Sequence, residues 1–209
     1  FLRCPDKSVV EDVGQELPKL QGKIHVEHGE MDAIARELCD RGVCTWIPLD
    51  SVLVYRGERV LNGLFGVTKP TLLADGRPTL RLIMNLVPSN SVTKGYQGAV
   101  KNLPQITSWM SIVLETGEVM RIWQSDMSNA FYLFRLPPSW TSSLAFNVLR
   151  QGEDIGKTPG ITFALACSVL PMGWSNSVSL MQEATVVQVS RILVYITSFM
   201  MNLGKFQFI

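Results

Sequence analysis

Asp126 is the acid best placed for chemistry in this sequence. It closes an apolar stretch, residues 119–125, that reads as a strand, and Met127-Ser128-Asn129-Ala130-Phe131-Tyr132 follows at once. A carboxylate at a strand end, beside a core, suits a hard cation that takes oxygen ligands. Taken alone, the commoner use of such a residue is to cap a turn. A second feature is Leu170-Pro171-Met172-Gly173-Trp174-Ser175-Asn176-Ser177, where a strand ends, the chain bends at Pro and Gly, and a helix opens at a serine. Gly173 lets the main chain approach a ligand that a Cβ would hold away. The third feature is a hairpin, with residues 63–69 coming in, 79–85 going out and Ala74-Asp75-Gly76 between them. A three-residue loop with Gly at its left-handed third position sets Lys69 opposite Arg81 on one face. A two-residue Asp-Gly turn would send them to opposite faces. Two facing cations repel, so the three-residue register implies an anion between them.

The four cysteines, Cys4, Cys39, Cys44 and Cys167, are too few and too scattered for a disulfide framework. Cys39 and Cys44 lack zinc spacing, and His25 and His28 sit near neither. Reduced thiols are the plain reading, which places the chain in a reducing, intracellular setting.

The elements that must hold these residues mix helices and strands. Residues 30–41 read as a helix, with Met31, Ile34, Ala35 and Leu38 on one face and Gly42 as the stop. Residues 43–54 turn apolar and β-branched around Pro48. A helix is expected over 103–114, and strands over 119–125, 144–149 and 161–170. Ser175 is placed to cap a further helix running to about residue 190. Helices and strands alternate without a clean βαβ pattern, so the fold class is α+β. Residues 1–29 are polar and without period, and read as a segment or linker.

The chain has 209 residues, 46% of them hydrophobic and 18% charged, which excludes a disordered chain. Its net charge of +1 hides an asymmetry. Residues 56–101 carry seven basic side chains (Arg56, Arg59, Lys69, Arg77, Arg81, Lys94, Lys101) against two acids, Glu58 and Asp75. Residues 155–209 hold only Lys157, Glu183, Arg191 and Lys205. No secretory signal opens the sequence. The apolar run 161–170 is half the roughly 20 residues a membrane helix needs, so no membrane partner is expected. The sequence opens on Phe1 and closes at Ile209 within an apolar stretch, which reads as a piece of a longer polypeptide.

The order of these parts resembles the reverse transcriptase family. Arg81-Leu82-Ile83-Met84-Asn85-Leu86-Val87-Pro88-Ser89-Asn90 is similar to the family's fingers segment with its terminal Asn. Residues 125–137, Ser-Asp-Met-Ser-Asn-Ala-Phe-Tyr-Leu-Phe-Arg-Leu-Pro, resemble its first catalytic motif, and residues 170–182 the motif that follows. The resemblance covers residues 60–190. It implies the fingers and partial palm of a right-hand polymerase, an antiparallel sheet packed on helices. The fingers would span 30–118 and the partial palm 119–209. The implied activity is template-directed transfer of deoxynucleotides to a primer 3′ end by two magnesium ions. Asp126 and the Met127 carbonyl would hold metal, and Lys69 and Arg81 the triphosphate. Phe131 would lie under the sugar, beside Asn129 and Ala130. Met172, Gly173 and Gln182 would line the nucleotide. The implied partners are an RNA or DNA template with primer, deoxynucleoside triphosphates, and further polymerase parts such as a thumb and an RNase H domain.

The sequence departs from the family's pattern at points that bear on activity. The second catalytic motif, Tyr-x-Asp-Asp, is absent; Tyr195-Ile196-Thr197-Ser198 has its outline without either carboxylate. Glu183 is the only acid after Asp154. Met172 stands where many members carry Gln, and Asn129 where retroviral members carry an acid. Asn85 and Val87 replace residues that are usually charged. The expectation is a polypeptide that does not polymerise as it stands. The alternative is a non-catalytic, nucleic-acid-binding remnant.

Overall fold

The computed structural model describes residues 2–3, 5–11, 18–27, 29–96, 98, 110, 112–120 and 129–188. The chain divides into two compact units, Phe1–Gly95 with Ser128–Ser177, and Tyr96–Met127 with Val178–Ile209. The first unit is mixed α+β. Its elements are β1 (Ile24–His25), α1 (Glu30–Asp40), β2 (Cys44–Pro48), β3 (Val54–Tyr55), β4 (Glu58–Arg59), β5 (Gly63–Leu72), β6 (Pro78–Asn85), α2 (Val87–Val92), β7 (Ala145–Gln151) and β8 (Thr162–Cys167). They form two three-stranded sheets, β1-β5-β6 and β2-β8-β7, and the small pair β3-β4. Among the described strand pairs, β1–β5 is parallel and the others are antiparallel.

α1 follows the expected pattern, burying Met31 and Ala35 one turn apart. Gly42, at φ +68°, ends it. The Gly42 and Val43 amides donate to the Cys39 and Leu38 carbonyls at 2.9 and 2.8 Å, closing the last turn.

The stretch around β1 is more than a linker. Leu20 is 2% exposed and packs with Val60 and Val92. The Leu61 amide donates to the Leu20 carbonyl at 2.8 Å, and Gly22 to the Leu61 carbonyl at 2.7 Å. Two glycines allow this approach. A Cβ on Gly22 would sit 2.2 Å from the Gly63 nitrogen, and one on Gly63 would sit 2.4 Å from the Lys23 oxygen.

The hairpin tip matches expectation, and its body corrects it. Gly76 has φ +81°. The Leu73 amide donates to the Arg77 carbonyl at 2.7 Å, closing the three-residue loop. Leu72 accordingly pairs with Pro78, but the next regular pair is Thr68 with Leu80. Two extra residues on β5 are absorbed between them, so Val67, not Lys69, stands opposite Arg81. Pro70 lies inside that irregular stretch. Its ring nitrogen carries no hydrogen to give to the ladder, and such a residue is tolerated in a strand only where pairing breaks. The anion inferred from two directly facing cations therefore loses its structural basis.

Asn62 joins the two larger sheets. It is fully buried, and its Nδ2 donates to the Ala145 carbonyl at 2.9 Å. Its Oδ1 accepts from the Ser89 amide at 3.2 Å and from Ser89 Oγ at 2.9 Å. Both polar atoms of that buried side-chain amide are thus bonded, by a strand carbonyl, a helix amide and a serine hydroxyl, as burial demands.

In the second unit, residues 112–115 and 118–120 are irregular. The rest of the expected helix over 103–114, except Met110, and of the expected strand over 119–125 lies outside the described residues. Tyr96 Oη donates to Glu183 Oε1 at 2.6 Å. Glu183 belongs to a helical stretch, residues 177–188. No described helix is long and apolar enough to cross a membrane.

Candidate functional site

The turn after β8 is held from three directions. The Leu170 amide donates to the Phe134 carbonyl at 2.7 Å and the Leu136 amide to the Ser168 carbonyl at 3.0 Å. Residues 134–136 thus run antiparallel to 168–170, bridged at Arg135 and Val169. Below the turn, Trp174 is buried against Trp140, with ring centroids 5.0 Å apart and planes at 59°, a tilted arrangement that aromatic quadrupoles favour. Ser177 Oγ donates to the Pro171 carbonyl at 2.6 Å.

The third support comes from α2. Asn90 Nδ2 donates to the Gly173 carbonyl at 2.9 Å, and Asn90 Oδ1 accepts from the Ser175 amide at 2.9 Å. One side-chain amide therefore grips the turn's main chain on both sides of Trp174. Gly173 itself has φ +99°, and a Cβ there would meet the Met84 carbonyl oxygen at 3.2 Å. This close approach explains the glycine through β6, a neighbour already within the protein. The helix begins at residue 177, two residues beyond the expected cap, after a turn in which the Ser177 amide donates to the Trp174 carbonyl at 3.0 Å.

Asn129 adopts the left-handed conformation, φ +55°, and opens a 3-10 turn, Ala130–Leu133. Asn tolerates that region better than most residues. Phe131 and Tyr132 are half-buried. Burial pushes the Tyr132 phenol above its ordinary value, helped by the nearby Cys167 and Cys44 sulfurs and opposed by Arg81. The segment after Asp126, the arginine of the basic hairpin and the end of β8 therefore share one neighbourhood.

Of the residues singled out from sequence, Arg81, Asn129, Ala130, Phe131, Met172 and Gly173 all belong to this first unit. Met172 is 47% exposed at the tip of the turn. Lys69 sits in the irregular part of β5, half-buried. Gln182 lies half-buried in the helical stretch 177–188. Asp126 and Met127 lie outside the described residues. So does Lys101. The other hairpin-region cations are partly spoken for. Arg59 pairs with Asp50 at 2.8 Å, Arg77 with Asp75 at 2.7 Å, and Lys94 with Glu11 at 3.5 Å. Lys69 and Arg81 have no ion-pair partner among the described residues.

The magnesium pair implied by the family resemblance needs several carboxylates together. Among the described residues no three of His, Cys, Asp and Glu gather as a metal site. Glu183, the one acid beyond Asp154, accepts the Tyr96 hydroxyl bond, which is also the chief reason that phenol is held above its ordinary value.

Two features escaped sequence reasoning. The clamp role of Asn90 was not visible from its position as the end of an apolar segment. A cleft of about 160 Å³ is lined by Lys19, Lys23, His25 and Asn85 without an acid. Its basic residues fall in the stretch that reads as linker, where spacing carries no signal.

No family model and no curated protein matches this sequence. Among solved structures, the foamy viral protease-reverse transcriptase, in complex with double-stranded DNA, is similar with a TM-score of 0.47 and 15% identity over 86% of this chain. The matched region spans 26% of that protein's length.

Proposed function

We propose that this chain is the fingers and partial palm of a reverse transcriptase-like polymerase, binding a deoxynucleoside triphosphate and a template with its primer. The observation that carries the reading is the Asn90 clamp. It joins two segments, 81–90 and 170–177, that resemble separate family motifs, although 83 positions separate Asn90 from Gly173. Lys69 and Arg81, lacking ion-pair partners among the described residues, are the cations for the triphosphate. Phe131 and the backbone at 172–173 face the sugar and base. Template phosphates would be tracked by lysines such as Lys19 and Lys23, a salt-sensitive contribution independent of sequence.

The test is a polarisation titration of the full chain with a fluorescent deoxynucleoside triphosphate. Bonds to charged groups contribute ~1.5–3 kcal/mol each, so Lys69→Ala with Arg81→Ala should weaken binding at least ~100-fold. Equal affinity in the double variant would remove these residues from the site.

A second reading, nucleic-acid binding without chemistry, is favoured by the engagement of Glu183 with Tyr96. It expects primer–template binding with no primer extension. Detectable extension that disappears in Asp126→Asn would overturn it in favour of the polymerase.

A further inference from the structure

Cys44 on β2 and Cys167 on β8 stand directly opposite each other in the antiparallel ladder. The Ser168 amide donates to the Val43 carbonyl at 2.9 Å, on the flank of that pair. This pattern makes Cys44 and Cys167 a non-hydrogen-bonded pair, whose Cα atoms lie ~4.5 Å apart with side chains at their closest. Disulfides require Cα separations of ~4.4–6.8 Å, so no backbone movement is needed to join them. Both are free thiols. They are 3% and 0% exposed. The Cys167 thiol donates to the Val169 carbonyl at 3.3 Å on one side. Met84 Sδ lies 3.9 Å from Cys167 Sγ and closes another side with an apolar group. Neither sulfur has a part in the nucleotide reading above, and the inference stands without it.

We propose that Cys44 and Cys167 form a reversible cross-strand disulfide joining β2 to β8, made by exchange with a small disulfide such as glutathione disulfide. Either sulfur can attack first, and both orders give the same product. Starting at Cys167, the thiolate attacks one sulfur of glutathione disulfide, breaking that S–S bond and expelling one glutathione thiolate, which takes up the Cys167 proton. Cys44 then attacks the Cys167 sulfur of the mixed disulfide. The second glutathione thiolate leaves and receives the Cys44 proton. Two protein thiols are oxidised by two electrons, and one glutathione disulfide becomes two glutathiones.

Burial sets the tempo of this exchange. Reagent reaches the pair only when β2 and β8 part, so formation and reduction both follow local opening. Once formed, the bond is shielded from reductant by the same packing.

The experiment incubates the full wild-type chain with glutathione disulfide, blocks remaining thiols, and maps the unreduced tryptic peptides by mass spectrometry. Trypsin separates all four cysteines, because Arg36, Arg41, Arg56, Lys157 and Arg191 fall between or around the three that matter. The expected product links the Cys44 peptide to the Cys167 peptide, with both thiols lost together. The linked chain should resist unfolding by roughly 10³-fold in its equilibrium constant, the expectation for closing a loop of about a hundred residues. A lasting glutathione adduct on Cys167 with Cys44 free would overturn the proposal. So would two thiols that stay unlinked after prolonged incubation yet react fully in urea.

Discussion

Replacing Asn90 tests how the turn after β8 is held. The side chain makes two bonds, both at 2.9 Å and both to main-chain groups of that turn. A net hydrogen bond contributes ~0.5–1.5 kcal/mol, and water reaches these partly exposed ones, so Asn90→Ala should cost about 1–2 kcal/mol. Asn90→Asp separates the two bonds. It keeps the acceptor for the Ser175 amide, but it loses the donor and turns a carboxylate toward the Gly173 carbonyl. That repulsion raises the new carboxyl's value in the folded state. The Asp variant should therefore be best folded below about pH 4, where the carboxylic acid can donate, and should lose stability as pH rises through its folded value. Urea unfolding gives the global change, and amide exchange at Ser175 gives the local one. A loss of ~1–2 kcal/mol there quickens exchange about 5- to 30-fold. An alanine variant with unchanged stability and unchanged Ser175 exchange would refute the clamp.

Two further outcomes follow from the same region. Gly173→Ala should cost ~1–3 kcal/mol in urea unfolding, since it places a Cβ at a positive φ and against the Met84 carbonyl. A neutral effect would mean the turn has room to relax. Tyr132 is held above its ordinary value mainly by burial. A raised folded value contributes stability that is complete below the unfolded value near pH ~10 and is lost as pH rises through the folded one. Tyr132→Phe should flatten that alkaline loss in urea midpoints, with Tyr96 leaving a residue of it. Superimposable pH profiles would assign the loss elsewhere.

What was legible in the sequence was local, and what was hidden depended on partners far along the chain. The apolar face of α1 and its stop at Gly42 are written within a dozen residues. So is the three-residue loop closed by Gly76. The hairpin's body departs from expectation because a register counted outward from the loop assumes an unbroken ladder. Pro70 lacks the amide hydrogen that ladder needs, and the two residues absorbed there move Arg81 opposite Val67. A proline in mid-strand is the local mark of such a bulge. β1 gave no such sign. A two-residue strand in polar sequence has no period, and its place beside β5 depends on Gly22 and Gly63 meeting backbone to backbone.

The candidate site divides along the same line. The turn at Pro171–Ser177 reads as a turn from its own residues, whereas its grip by Asn90 reaches across 83 positions. Cysteine spacing says nothing of pairs carried on different strands. Cys44 and Cys167 look scattered because the strands that carry them are far apart in sequence, yet the antiparallel register sets them face to face. Sequence spacing measures proximity only within one element. For groups on different strands, register is the relevant coordinate, and it is fixed by bulges, glycine contacts and buried amides such as Asn62. The basic hairpin illustrates the consequence for function. Arg81 is kept near Tyr132 and the end of β8 by the register that removed Lys69 from directly opposite it. A triphosphate bound there would meet Arg81 from the regular ladder and Lys69 from the irregular stretch. The two single substitutions should therefore differ, with Arg81→Ala the more damaging because its strand holds it in place.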